Sequence, residues 1–131
     1  MLSAAARGTI GDMEQAKLGH EDIQAQLIAE ALLAAEVGFI VWDEDRRYIA
    51  ANDAACRMLG TTRDDLLGRT VGDRTSGGAA VVDEAVRKQQ LTGTLTAEKF
   101  DGSGPVALNY TTFVTRTAGM PFMASVIWPA D

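Results

Sequence analysis

Residues 38–68 read GFIVWDEDRRYIAANDAACRMLGTTRDDLLG, and they carry more structural information than the rest of the chain together. The first five residues with Val37 form a short run, 37–42, apolar at Phe39 and Val41 on one face and at Ile40 and Trp42 on the other. A strand apolar on both faces is covered on both faces. Asp43, Glu44, Asp45 and Arg46 supply a turn, and Tyr48-Ile49-Ala50 the returning strand of a hairpin. Asn52 then precedes a helical run, 53–59, that Gly60 stops. The amide oxygen of an N-cap Asn accepts a free N–H of the first turn, and a Gly at the C-terminus adopts the left-handed conformation. Thr62 with Asp65 resembles a capping box for a further turn that Gly68 ends.

Working upstream, residues 1–11 are small, Ser-, Gly- and Thr-containing, and predict a flexible start. From 12 to 36 there is no Pro and one Gly, and helix formers dominate. Asp12 caps and Glu14 favours the first turn of an expected helix of about 20–25 residues. Its apolar residues Ile23, Leu27, Ile28, Ala31, Leu32 and Ala35 recur at spacings of three, four and one, a broad amphipathic stripe. That stripe packs either across the open face of its own sheet or against a second copy, and the two are compatible. Ile23, Leu27, Ile28 and Ala31 are the residues expected in a dimer contact.

Downstream, a third helix is expected over 79–90, with Val82 and Val86 on its inner face. Asp83 with Arg87 and Glu84 with Lys88 stand at i,i+4 in the favourable orientation. After Gly93 come three strand-like runs, 94–100, 106–115 and 120–128, separated by turns at Asp101-Gly102-Ser103-Gly104 and Ala118-Gly119. In the penultimate strand Val106, Leu108, Tyr110, Thr112 and Val114 share the more apolar face, expected to be the core side. In the last strand both alternating sets are apolar, and the pattern leaves its register open. The order of elements gives an α+β fold: a five-stranded antiparallel sheet with short helices on one face, preceded by an amphipathic helix. The expected division is a flexible 1–11, a helix over 12–36 and a domain over 37–131.

Bulk properties bound the function. A chain of 131 residues supports one core, and 47% hydrophobic with 23% charged residues is a globular balance. A net charge of −6 without a dense Lys/Arg cluster argues against nucleic acid as a partner. No apolar run reaches the roughly 18 residues of a membrane span, and the start lacks the pattern of a secretory leader. The single cysteine, Cys56, forms no internal disulfide and fits a reducing, cytoplasmic setting.

Taken in order, GFIVWD (38–43), NDAACRMLG (52–60), DDLLGR (64–69) and the later DG (101–102) resemble the PAS domain family over about residues 30–128. The resemblance implies a sensory or interaction module, commonly part of a histidine kinase, cyclic-nucleotide enzyme or transcription regulator. It also implies dimerisation through a helix before the first strand, and a pocket between sheet and helices. The flavin-photosensor branch carries an NCRFLQ-type segment where this chain reads Arg69-Thr70-Val71-Gly72-Asp73-Arg74, so no cysteine is placed for a flavin adduct. Noncovalent flavin is left open by that observation. The haem branch uses a His from the third-helix region, whereas the one His here is His20; Cys56, Met58, Met120 and Met123 are the alternative soft donors. Haem and flavin are both disfavoured, and the cofactor is left unassigned.

For a small-molecule pocket the candidates are Trp42, Met58, Val82, Val86, Tyr110 and Ser125, with Trp42, Tyr110 and Ser125 as the polar-tipped members. No metal set is apparent, and Asp43, Asp45, Asp64 and Asp65 sit where carboxylates cap and solvate turns. Cys56 reads as a small core residue on a helix whose Ala55, Met58 and Leu59 turn inward. The expected function is a homodimeric sensory or signal-relay domain that works on a kinase or effector domain. The competing reading is a ligand-free interaction and dimerisation domain. An enzyme is not expected, since neither a nucleophile–base pair nor a phosphate loop is present.

Overall fold

The computed structural model describes residues 19–130. Nine elements follow in order: α1 (Glu21–Ala34), β1 (Gly38–Trp42), β2 (Tyr48–Ala51), α2 (Asp53–Leu59), α3 (Arg63–Leu66), α4 (Gly78–Lys88), β3 (Gln90–Glu98), β4 (Pro105–Thr117) and β5 (Met120–Pro129). The strands form one antiparallel sheet in the order β2-β1-β5-β4-β3, so the first hairpin is closed onto the last strand. This is the α+β architecture expected from the order of apolar runs.

The chain divides into two units at Leu32/Leu33, and most of α1 belongs to the first. Gly19 and His20 precede it in turn and bend conformations. His20 starts the helix: its carbonyl accepts the Gln24 N–H at 2.9 Å and its Nδ1 accepts the Asp22 N–H at 3.2 Å. Asp12 and Glu14, the expected start, lie outside the described residues. The apolar side chains of α1 also wrap more widely than a stripe, because at 100° per residue Ala25 and Ala29 fall opposite Ile23 and Leu27 and Leu33 falls on the flank between.

The second unit is built around Asn52. This residue is 2% exposed and caps α2 by accepting the Ala55 N–H at 3.0 Å. The same Oδ1 accepts the Phe39 N–H at 2.9 Å, and Nδ2 donates to the Val37 carbonyl at 3.0 Å. One amide thus ties the helix start to the entry of β1. The tie requires close approach: a Cβ on Gly38 would stand 2.5 Å from Ile127 Cγ1 and 3.0 Å from Ala55 Cα. Gly60 closes the helix in the left-handed conformation (φ 68). Thr62 caps α3 by accepting the Asp65 N–H at 3.2 Å.

Several boundaries differ from the sequence reading. Helix α4 ends at Lys88, because Gln89 is left-handed (φ 60) and turns the chain so that Gln90 opens β3. The strand therefore runs 90–98 rather than 94–100; Phe100 has left the ladder and donates its N–H to the Leu59 carbonyl at 2.9 Å. On α4 the inner residues are Val82 and Ala85, whereas Val86 is 43% exposed. The pair Glu84–Lys88 forms at 2.7 Å, but Asp83 pairs with Arg46 of the β1–β2 turn instead of with Arg87.

The core has two parts. Ile40, Tyr48, Ala55, Leu59, Leu66, Leu108 and Ile127 pack together under α2 and α3. Trp42, Val82, Ala85 and Met123 pack under α4. Leu108 and Thr112 confirm the expected inner face of β4, and Met123, Ser125 and Ile127 fix the register that the last strand left open.

Candidate functional site

Between the sheet, α4 and the 71–75 segment lies a cavity of about 70 Å³. Its floor is Ile40, Leu108 and Ile127 from three adjacent strands, and its lid is Val82 and Ala85 with Gly72, Thr75 and Val81. None of the residues lining it is charged. Gly72 (φ 92) permits the lid to close down, since a Cβ there would meet Val82 Cγ2 at 2.8 Å and the Gly78 carbonyl oxygen at 3.2 Å.

The polar groups on the floor are bonded to one another. Ser125 stands opposite Thr112 in the β4–β5 register, and their hydroxyls are 2.8 Å apart. Trp42, on β1, reaches diagonally and donates its indole N–H to Ser125 Oγ at 3.3 Å. This rung joins β1, β5 and β4 in an otherwise apolar wall. A buried polar group left unbonded costs about 1–3 kcal/mol, so the rung fixes the three side chains.

Tyr48 and Tyr110 also line the cavity. Burial, aided by the negative charge of Asp73, pushes the Tyr48 phenol up to about 12. Tyr110 is raised more mildly, by burial first and then by Glu84. Both are neutral donors throughout the physiological range.

Of the six pocket residues expected from sequence, Trp42, Val82, Tyr110 and Ser125 come together here. Met58 does not: it packs at the edge of the core under α2, and Leu59 faces the cavity in its place. Val86 lies instead in a separate open hollow of about 250 Å³ with Trp42, Asp43, Glu44, Val114 and Met123. One residue of helical phase decides both cases. Tyr48, Thr112 and Gly72 were missed as pocket residues. Alternation from Tyr48 through Ala50 could have flagged the first and the β4 inner face the second, but no local pattern marks Gly72.

The dimer candidates Ile23, Leu27 and Ile28 are 37%, 51% and 58% exposed on α1, and Ala31 is exposed beside them. Cys56 is buried, with its thiol raised by burial against the opposing pull of Arg63, and it does not line the cavity. Among the soft donors, neither Cys56, Met58, Met120 nor Met123 reaches the cavity wall. Ligand sites for drug-sized molecules run to about 300–1,000 Å³, so the cavity and its donor set fit neither haem nor flavin. Among the described residues no group of three or more His, Cys, Asp or Glu is arranged to hold a metal ion. No helix among them is long and apolar enough to cross a membrane.

The fold is shared with many solved structures. It superposes on a PAS domain from a two-component sensor histidine kinase with a TM-score of 0.71 at 15% identity, covering 85% of this chain and 100% of that one. A domain of the sensory box sensor histidine kinase/response regulator from Geobacter sulfurreducens gives 0.71 at 19%, covering 84% and 97%. An RNA-binding Light-Oxygen-Voltage receptor gives 0.72 at 16%, covering 86% of this chain and 34% of that one. A search of curated proteins finds no match. A family model, the PAS fold, matches residues 25–99, more than half of the sequence, and the chain belongs to the PAS family.

Proposed function

We propose that the chain is a cytoplasmic sensory and signal-relay domain that binds a small molecule in the cavity beneath α4. The observation that carries this reading is the uncharged cavity with the hydrogen-bonded Trp42–Ser125–Thr112 rung in its wall. A ligand there touches Trp42, Val82, Tyr110 and Ser125, and its entry displaces the Gly-flanked start of α4 more readily than the anchored α2. The domain acts by binding and relay rather than by catalysis. Its output is a change in packing at a homodimer contact through Ile23, Leu27, Ile28 and Ala31 of α1, read by a kinase or effector domain. The sensor histidine kinases among its structural neighbours support that choice of partner.

A second reading rests on the cavity's size. About 70 Å³ with its rung already satisfied also suits a filled core whose role is interaction alone. Native mass spectrometry of the purified chain separates the two, since added mass that leaves on denaturation supports sensing. For the relay, Ile23→Asp combined with Leu27→Asp is expected to convert dimers to monomers by light scattering. Dimers that persist in the double variant would sink the helix-mediated contact.

A further inference from the structure

Three hydroxyls of the cavity wall, those of Tyr48, Thr75 and Tyr110, take part in no hydrogen bond among the described residues, and of the three only Tyr48 is a buried residue, at 5% exposed. Its main chain is fully engaged, the N–H with the Arg69 carbonyl at 3.0 Å and the carbonyl with the Gly68 N–H at 2.9 Å, so the ring is held while its hydroxyl stays open. The rung across the floor spends its indole proton and one hydroxyl proton internally and retains one hydroxyl donor. The cavity is therefore rich in donors and holds no cation to balance a negative charge. Asp73 lies within electrostatic reach of Tyr48, and the whole chain carries −6, both of which repel anions.

From this arrangement we infer that the cavity takes a small neutral molecule bearing a hydrogen-bond acceptor, its acceptor on the Tyr48 hydroxyl and its apolar body against Leu108, Ile127 and Val82. The inference rests on the ligand-binding reading above and narrows its chemistry. Size follows from volume. A cavity of about 150 Å³ accommodates benzene, so about 70 Å³ accommodates about three non-hydrogen atoms, and a fourth where the uncapped start of α4 gives way. The raised phenol keeps the donor protonated at any physiological pH.

Three probes of four non-hydrogen atoms each test it on the full chain: acetone as neutral acceptor, 2-methylpropene as its hydrocarbon counterpart, and acetate as the anion. Titrations are followed by the amide shifts of Tyr48 and Ser125 and the indole shift of Trp42. Acetone is expected to saturate at about fivefold lower concentration than 2-methylpropene, the worth of one neutral hydrogen bond, and acetate to produce no saturable shift. Tyr48→Phe is expected to bring acetone down to the hydrocarbon's level and leave 2-methylpropene unchanged. In the unaltered protein, nuclear Overhauser contacts from the acetone methyls to the Tyr48 ring give the same answer without a variant. Equal binding of acetone and 2-methylpropene, or tightest binding of acetate, overturns the acceptor assignment while the ligand cavity stands. Absence of saturable shifts from all three probes overturns both.

Discussion

Helices α2 and α4 lie on either side of the same cavity and are held in opposite ways. Helix α2 has seven residues and buries four of them, Ala54, Ala55, Cys56 and Leu59. Its start is bonded through Asn52 to both Val37 and Phe39, and Arg63 reinforces it by binding the Asp53 carboxylate and the Ala51 carbonyl, at 2.7 and 2.8 Å. Helix α4 has eleven residues and buries two, Val82 and Ala85. Gly77 precedes it without a side-chain cap, and Gly72, Gly77 and Gly78 all have positive φ on its approach. Local opening is drawn from parts of a fold with little burial and unsatisfied ends. The difference assigns the α2 side to framework and the α4 side to response.

The contrast breaks first at Asn52. Asn52→Ala removes the cap and the part-buried bonds to the Phe39 N–H and the Val37 carbonyl. A lost cap costs about 1 kcal/mol, and each backbone group left unbonded where water partly reaches it about 1 kcal/mol, the low end of the range for buried groups. We expect about 3 kcal/mol from urea unfolding. A loss below about 1 kcal/mol would mean that α2 is no better anchored than α4.

That anchor was legible in the sequence, and the reason is local. An N-cap Asn and a Gly stop act within nine residues, so NDAACRML-G encodes its own helix and boundaries. The five strands were also legible, because turn residues and alternation separate them. What failed depended on partners distant in the chain. Gln90 looks helical until Phe113 pairs with it. Asp83 has a good i+4 partner in Arg87, and only the fold brings Arg46 closer. The register of β5 required β1 and β4 on either side. For the site, four of six expected residues assemble: strand alternation fixed the face of Tyr110 and helical phase that of Val82, while Trp42 and Ser125 were chosen for their polar tips and placed by the β1–β5 pairing. Met58 and Val86 fell elsewhere because a single step round a helix, 100°, separates the cavity from its margin.

A subtler test concerns the framework side of the cavity alone. The Tyr48 phenol rises from 10.0 to about 12 in the fold, so folding favours its protonated form. That stabilisation is complete below pH 10, where both states hold the proton, and is lost as pH rises from 10 towards 12, where only the unfolded chain releases it. A shift of about 2 pH units corresponds to about 2–3 kcal/mol. Stability measured against pH is expected to fall over that window by this amount more in the native chain than in Tyr48→Phe. Coincident curves would mean that Tyr48 is as open to solvent as an ordinary tyrosine, and the wall it forms would no longer belong to the framework.

The smallest effects sharpen the comparison most, because they fall on neighbouring turns of α4. Val82→Ala removes two methyl-sized groups from a site 6% exposed, a loss of about 1.5 kcal/mol in transfer with a small cavity term added. Helix propensity returns a few tenths, since Ala loses no χ1 freedom in a helix. The expected net loss is about 1–2 kcal/mol by chemical denaturation. Val86→Ala removes the same atoms from a site 43% exposed, where substitution is usually worth within about 0.5 kcal/mol and the propensity gain offsets what transfer remains. The net change is expected near zero. Equal losses at the two positions would place both valines on the inner face, give α4 a second line of core contact, and remove the looseness that distinguishes it from α2.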